Sequence, residues 1–373
     1  MQLAGIGYSE EQIELLDVAT EFCRDKSPMA KVRALMDGDA GFDPDLWQEI
    51  ASLGWLGIAV PEAHGGVGLS LAEAVPVVEQ MGRTMMATPF VATTLAAQAI
   101  LMGGTEGQQA EWLPRLVSGA IGTLALAEAH GDWELSNITA TATRDGAQLR
   151  LAGKMQFVLW ADGADVAVVS VQLDGKPALV MLEKAELAKA SLRREAIVDE
   201  TKRSFELSLD GLTIADTALL DPARATAALD HIDRAAMLLQ SAEMCGGTQA
   251  VIDYTLDYLR TRKQFGKLIG EYQALKHPMV DAYVSYEKAR SHLYSAANAF
   301  GDQGQGEIAV RMAKASADKA YSFAADRAVQ FHGGFGFTRE CDAGLHRRAA
   351  IFHASQHGDA AWHRSKLADL LLV

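Results

Sequence analysis

Hydrophobic and polar positions divide the 373-residue chain into three textures. Up to about residue 120 the pattern is helical. Ser9 suits the N-cap of a stretch with Ile13, Leu16 and Val18 at roughly helical spacing, ending before Pro28. Asp43-Pro44 is a sharper start signal: the aspartate can accept from an orphan amide, and proline fits the first helical position. Leu46, Trp47, Ile50 and Leu53 then form an apolar face that Gly54 can end. Thr105 with Gln108 reads as a capping box before Trp112, Leu113 and Leu116, with Gly119 as the stop.

From about 121 to 222 the signals are short and β-like. Gln148 to Leu151 alternates, Val166 to Val169 and Ala178 to Leu182 are buried-type runs, and Phe205 to Leu209 alternates again. Turn signals recur at Asp145-Gly146, Asp162-Gly163, Asp174-Gly175 and Asp210-Gly211. Strands without intervening helices predict an antiparallel barrel or sandwich. From 223 onward the pattern is helical again, over about 223–262, 271–300, 306–332 and 342–370, with glycine-rich breaks between. Four long helices with short connections predict an antiparallel four-helix bundle. The expected fold is therefore α+β in three domains, 1–120, 121–222 and 223–373.

Composition narrows the class. Hydrophobic residues make up 49% and charged residues 22%, as in ordinary globular proteins. No run of eighteen apolar residues is present, which predicts no membrane span. Met1 to Gly5 lacks the basic start and apolar core of a secretory signal, and Cys23, Cys245 and Cys341 are widely spaced. Both features predict a cytoplasmic protein without a disulfide framework or zinc site. A formal net charge of −14 disfavours nucleic-acid binding and requires local positive charge wherever an anionic cofactor sits.

Three segments stand out. Arg260-Thr261-Arg262-Lys263-Gln264-Phe265-Gly266 reads either as a helix C-terminus, with cations at the negative dipole end and a closing glycine, or as an anion site. In the second case an arginine fork grips phosphate oxygens, Gln264 donates to another and Phe265 stacks on a flat ring. Gln330-Phe331-His332-Gly333-Gly334-Phe335-Gly336-Phe337 is either an interhelix turn or a backbone that a ligand approaches closely. Trp55 to Leu69 contains a GG-x-G that suits an ordinary connection or a phosphate loop.

In this order and at these relative positions, the three segments resemble the acyl-CoA dehydrogenase family, over nearly the whole chain. Leu56 to Leu69 looks like its "LG…VPE.yGG.G" stretch, Tyr258 to Gln273 like "Y…R..FG..I..fQ", and Ala328 to Phe337 like "AvQ..GG.Gf". The resemblance implies a flavin adenine dinucleotide (FAD) at a subunit interface. Arg262, Gln264, Phe265 and Gln273 would belong to its neighbour's site, and Gln330, Gly333 and Gly334 would cradle the adenosine diphosphate half. Phe157 and Val158 resemble residues laid against the isoalloxazine, with Leu159 in place of a threonine. Leu124 to Asp132 resembles "vTEP.aGSD": Glu128 matches, while Ala127 lacks the threonine hydroxyl.

The family's base is usually a glutamate in "YEGT". Counting on from Phe337 puts Gln356-His357-Gly358-Asp359 there, so His357 stands where the glutamate belongs and Asp359 replaces a threonine. Some members carry the base on the first C-terminal helix instead; there Ala236 and Met237 stand, and the nearest acid is Asp233. Asp233 is either that base or a first-turn acid favouring a helix N-terminus. His357 is either a base or a polar pocket residue in a subunit without chemistry. His346, His353 and His363, near Arg347, Arg348 and Arg364, read as a solvated or interface face.

Two functions follow as expectations. One is FAD-dependent α,β-dehydrogenation of an acyl-CoA, with electron-transferring flavoprotein as acceptor. The other is a non-catalytic FAD-binding subunit in a mixed assembly acting on bulky, steroid-like or cyclic thioesters. A homotetramer or an α2β2 heterotetramer is implied in either case. A third reading keeps the fold but makes the chain an oxidase or monooxygenase.

Overall fold

The structure is a computed structural model that describes residues 9–372. The signal-free reading of Met1 to Gly5 lies outside the described residues. Six helices come first: α1 Glu10–Lys26, α2 Met29–Asp37, α3 Pro44–Ser52, α4 Leu71–Arg83, α5 Phe90–Gly103 and α6 Glu106–Val117. Their caps are those the sequence announces. Ser9 and Gln12 close a reciprocal capping box, as do Thr105 and Gln108, and Asp43 accepts from Asp45 and Leu46 with Pro44 in the first turn. The buried face of α1 differs from expectation. Gln12, Leu16, Ala19 and Cys23 face the core, and Ile13 and Val18 are exposed, because the inward stripe runs through positions three and four apart from Leu16.

The glycines of Trp55 to Leu69 serve the chain's own turn. Val67 N–H donates to Gly57 O, Gly68 N–H to Val60 O and Leu69 N–H to Ile58 O, and a Cβ on Gly66 would lie 2.0 Å from Val60 O.

The middle region is two sheets. One contains β1 Gly122–Ala125, β3 Thr141–Asp145, β4 Gln148–Ala152, β6 Val166–Leu173, β7 Lys176–Glu183 and β10 Thr213–Ala215. The other orders β2 Ala127–Glu128, β5 Lys154–Leu159, β9 Ser204–Ser208 and β8 Ser191–Arg194 as β2-β5-β9-β8, with the short helix α7 Lys184–Leu187 leading into β8. Most pairings are antiparallel. The exceptions are on β6, which pairs parallel with β1 and with β3 along one edge while β7 lies antiparallel on the other. The run Val166 to Val169 is buried on both faces, as a central strand requires.

The C-terminal bundle is built on α8 Ala225–Thr261, α9 Gln273–Ala299 and α10 Gln305–His332, with the hairpin β11 Lys263–Gln264 and β12 Lys267–Leu268 between α8 and α9. The fourth helix is two helices, α11 Asp342–Ser355 and α12 Ala360–Leu371. The break at Gln356 to Asp359 contains His357 at φ +51° and Gly358 at φ +91°.

Helix α8 also packs on α4 and α5, tying the first region to the bundle. The α4–α8 crossing is backbone to backbone: a Cβ on Gly246 would lie 1.8 Å from Glu79 O, and one on Gly82 would lie 2.2 Å from Glu243 O. Beside that crossing Glu79, with no exposed surface, accepts from Arg290 Nε at 2.6 Å and from Tyr294 Oη at 2.6 Å.

Candidate functional site

A cavity of about 330 Å³ opens where α5, α8, the two sheets and the α11–α12 break meet. Its wall is mostly apolar, with Val91, Ala92, Leu95, Leu124, Leu126, Phe157, Leu159 and Trp160. Six described non-glycine residues have positive φ, and Phe157 (+55°), Trp160 (+60°) and His357 (+51°) among them line this cavity. A bulky side chain in the left-handed region costs of order 1–3 kcal/mol, so the surrounding packing must hold these three in place.

His357 reaches the cavity because of the break. Lys314, on α10 and with no exposed surface, donates from Nζ to His353 O and Gly358 O, both at 2.9 Å. One turn further on, Asp318 Oδ2 accepts from Ala360 N–H at 2.9 Å, and Asp359 caps α12 by accepting from Ala361 and Trp362. A Cβ on Gly358 would lie 2.3 Å from the Trp362 ring. Trp133, from the loop after β2, donates from Nε1 to Ser355 O at 3.0 Å and meets the Trp362 ring edge-on. Burial pulls the Lys314 ammonium down to about 8.

Two residues that the sequence offered as rival bases are in contact. His357 Nδ1 lies 3.1 Å from Asp233 Oδ1. Asp233 is in the third turn of α8, so the first-turn reading does not apply, and its side chain is 15% exposed against 19% for His357. Asp233 does not line the cavity, whereas His357 does. A carboxylate at Nδ1 fixes the tautomer with the proton there and leaves Nε2 as an acceptor. Ala236 and Met237 are fully buried in the helix packing.

Ala127 and Phe157 also line the cavity. Val158 has no exposed surface and turns into the core, so only its backbone can meet a ligand. Glu128 is buried and accepts from Thr139 N–H at 2.7 Å and Ala140 N–H at 3.1 Å, ordering the loop before β3. Asp132 lines the cavity but accepts from Glu134 N–H and Asn137 Nδ2 in its own turn.

The remaining candidates lie elsewhere. Arg262, Gln264 and Gln273 are exposed, and Phe265 is 92% exposed at φ +53°. Gly266 (φ +83°) forms the tight turn of the β11–β12 hairpin with Phe265; it does not close α8, which ends at Thr261. Gln330, Gly333 and Gly334 are exposed at the end of α10, and a Cβ on either glycine would meet nothing within 4 Å. His332 is buried there, stacked on Tyr254 and Tyr258.

The histidines expected on a solvated or interface face are buried within the chain: His346 3% exposed, His353 4% and His363 0%. Burial pushes them down to about 4, about 4 and about 3, so they are neutral in the fold. Their helices turn them toward α8 and α10, and Arg347 and Arg348 pair outward with Asp326 and Glu200.

Sequence reasoning missed Thr88, Trp160, Lys202, Gln240 and Glu243 and assigned His353 to a surface face, yet all six are on the cavity wall. Gln240 alone had a visible signal, as one amide after the apolar run Ala235 to Leu239.

Residues 9–120 match the model of the acyl-CoA dehydrogenase N-terminal domain, and residues 223–372 match that of the C-terminal domain. The chain belongs to the acyl-CoA dehydrogenase family. Within that family it is 30% identical over 353 residues to acyl-CoA dehydrogenase IpdE2 of Mycobacterium tuberculosis, covering 94% of this chain and 92% of the relative. A variant of the Tcur3481-Tcur3483 steroid ACAD superposes with a TM-score of 0.86 at 29% identity, over 97% of this chain and 98% of that one. The ChsE4-ChsE5 complex from Mycobacterium tuberculosis shares the fold, with a TM-score of 0.90 at 24% identity over 98% of both chains. Members of the family are FAD flavoproteins. No helix among the described residues is long and apolar enough to cross a membrane, and no group of His, Cys, Asp and Glu there could hold a metal ion.

Proposed function

We propose that this chain is an FAD-dependent acyl-CoA dehydrogenase in which His357 is the base for α-proton removal and Asp233 orients it. The observation that carries the reading is the 3.1 Å contact between His357 Nδ1 and Asp233 Oδ1 at the cavity edge. A base that removes an α-proton near neutral pH needs a free acceptor atom, a fixed direction and a partner for the charge it gains. Nε2 is that atom, the break at Gln356 to Asp359 sets its direction, and Asp233 stabilises the imidazolium.

The residues present fit a flavin. Phe157 offers a flat face at the cavity, and the open space over Gly333 and Gly334 admits a close backbone contact. Ala127, Phe157 and the Val158 backbone would hold the ring system. Gln330, Gly333 and Gly334 would hold the adenosine diphosphate half, and Arg262, Gln264, Phe265 and Gln273 would serve the neighbouring subunit's cofactor. FAD, when bound, supplies the oxidant for the β-hydrogen. The chain's apolar wall excludes water from the acyl group, and His357 accepts the α-proton. Electron-transferring flavoprotein is the proposed acceptor.

A second reading, a non-catalytic subunit of a mixed assembly acting on bulky thioesters, rests on the engagement of both cavity acids. Glu243 is paired with Lys202, and Asp132 is spent on its own turn. An assembly of either kind, homotetramer or α2β2, would cover Phe265 and Phe337, which are 92% and 84% exposed.

The purified chain is to be examined by its visible spectrum, then mixed anaerobically with a panel of acyl-CoAs. Bleaching that His357→Ala abolishes and Asp233→Asn slows is the expected result, and unchanged bleaching in both variants removes both bases. A chain that holds flavin only with a second, partner polypeptide favours the second reading. Rapid aerobic turnover without an added acceptor would point to an oxidase.

A further inference from the structure

Strand β5 carries an extra residue where it lines the cavity. Met155 pairs with Leu207 of β9 and Val158 with Phe205, so β5 uses one residue more than its neighbour over the same step. This is a β-bulge, a device that bends a strand and re-aims a side chain. It places Phe157 at φ +55°, and Gln156 and Phe157 both line the cavity. Glycine takes that conformation freely, whereas a phenylalanine is strained in it. A glycine would serve the bend alone, so what the strain secures is the direction of the ring, on a residue 40% exposed.

The bulged amide needs an acceptor. Phe157 stands opposite no residue of β9 or of β2. Its N–H donates instead to Glu195 Oε2 at 3.1 Å. Glu195 directly follows β8, and it is fastened to β9 twice. Its own N–H donates to Ser204 O at 2.8 Å, and Oε2 accepts from Ser204 Oγ at 2.7 Å. Ser204 is buried and pairs with Leu159 of β5. The carboxylate thus reaches across β9 and ends on the bulge. An ionised acceptor makes such bonds stronger than a neutral one would. The preceding residue is tied as well: Gln156 Nε2 donates to Glu206 Oε2 at 3.1 Å, and Arg193 holds that carboxylate. Trp160, at φ +60°, is fixed differently, by a backbone bond from its N–H to Arg203 O at 2.9 Å. Phe157 is the one whose backbone depends on a side chain.

We infer that Glu195 is a positioning residue for the flavin: it fixes the bulge that presents the Phe157 ring to the cavity. This rests on the proposal that Phe157 meets the flavin ring system, and adds the residue that sets where the phenylalanine stands. Glu195 does not line the cavity itself, so it acts through the Phe157 backbone. Without the carboxylate the bulged amide loses its acceptor, and the strained conformation loses the bond that over-determines it.

The test compares Glu195→Ala, Glu195→Gln and Phe157→Ala with the wild-type protein, each with its partner chain if flavin loading requires one. With the flavin removed, hydrogen-exchange mass spectrometry reads the peptide spanning residues 155–160. Glu195→Ala should speed exchange there about tenfold while β6 keeps its wild-type rate. Equal acceleration in β6 would be a general loosening and overturns the inference. FAD is then titrated back, read by quenching of its fluorescence, and visible circular dichroism at saturation records the surroundings of the bound ring. Glu195→Ala should weaken FAD binding about tenfold and change that dichroism. Glu195→Gln, which keeps an acceptor oxygen, should recover both. On a Phe157→Ala background Glu195→Ala should cost nothing further, because the two residues act as one unit. Wild-type affinity in Glu195→Ala, additive losses in the double variant or no recovery with Glu195→Gln would each overturn the inference and leave the flavin reading intact. If the wild-type protein binds no FAD, that reading falls and this inference falls with it.

Discussion

The cavity edge at His357 and the hairpin at Arg262 both hold a ring-bearing residue in the left-handed region, yet their surroundings are opposite. His357 is four-fifths covered and touched by Asp233; the neighbouring carbonyl of Gly358 is held by Lys314. Phe265 is 92% exposed on a two-residue turn. A strained conformation persists where the surroundings over-determine it. At the cavity those surroundings lie within the chain. At the hairpin they do not, which is what a site shared with a second subunit would look like. On the proposed reading, the difference would separate a chemical centre complete in one chain from a cofactor grip completed by another.

The variant that strains this comparison most is His357→Gln. It keeps the polarity and removes the proposed base, so turnover should fall about 10²–10⁴-fold, read as the rate of anaerobic flavin bleaching. Less than a few-fold loss would place the base in another chain. Lys314→Met comes next. It frees His353 O and Gly358 O and lets His357 shift, so kcat should drop about 10–100-fold while the acyl-CoA KM changes less. Equal effects on both constants would mean that Lys314 only stabilises the fold.

The buried histidines give a pH signature of the interior. His346, His353 and His363 sit at about 4, 4 and 3 in the fold, below an unfolded value near 6.5. Their neutral burial costs nothing above pH 6.5. Below it the unfolded state binds more protons, so stability falls as pH drops toward 5, by up to about 1.4 kcal/mol per pH unit for each histidine. Urea unfolding at pH 7, 6 and 5 measures this; a flat profile would mean that these side chains are hydrated. The smallest effect on the fold is expected for Arg262→Ala. Flavin retention through gel filtration should fall about tenfold while the melting temperature and helicity stay within error. Parallel loss of both would make Arg262 a helix-end cation and remove the contrast between the two regions.

The caps at Ser9, Asp43 and Thr105, the β-rich middle and the helical end were readable because each signal lies within a few residues of what it controls. Burial was harder to read. The Arg-rich neighbourhood of His346 and His353 suggested a wet face, yet those arginines turn outward to pair with Asp326 and Glu200, which no local pattern reveals. The run 342–370 looked like one helix because its composition is helical throughout, and the break depends on Lys314 and Asp318, which bond the chain at His353, Gly358 and Ala360.

The sequence by itself therefore determined the order of helical and β-rich regions, the family motifs and two separate candidate bases. Only the tertiary structure made those two a pair, 124 residues apart in the chain and 3.1 Å apart in space. It also brought Thr88, Lys202, Gln240 and His353 to one cavity wall from separate segments. The physical reason is range. Caps, turns and periodicity act over one or two helical turns, whereas a pocket is made by the close crossing of α4 on α8 and the break between α11 and α12, both set by packing between distant segments.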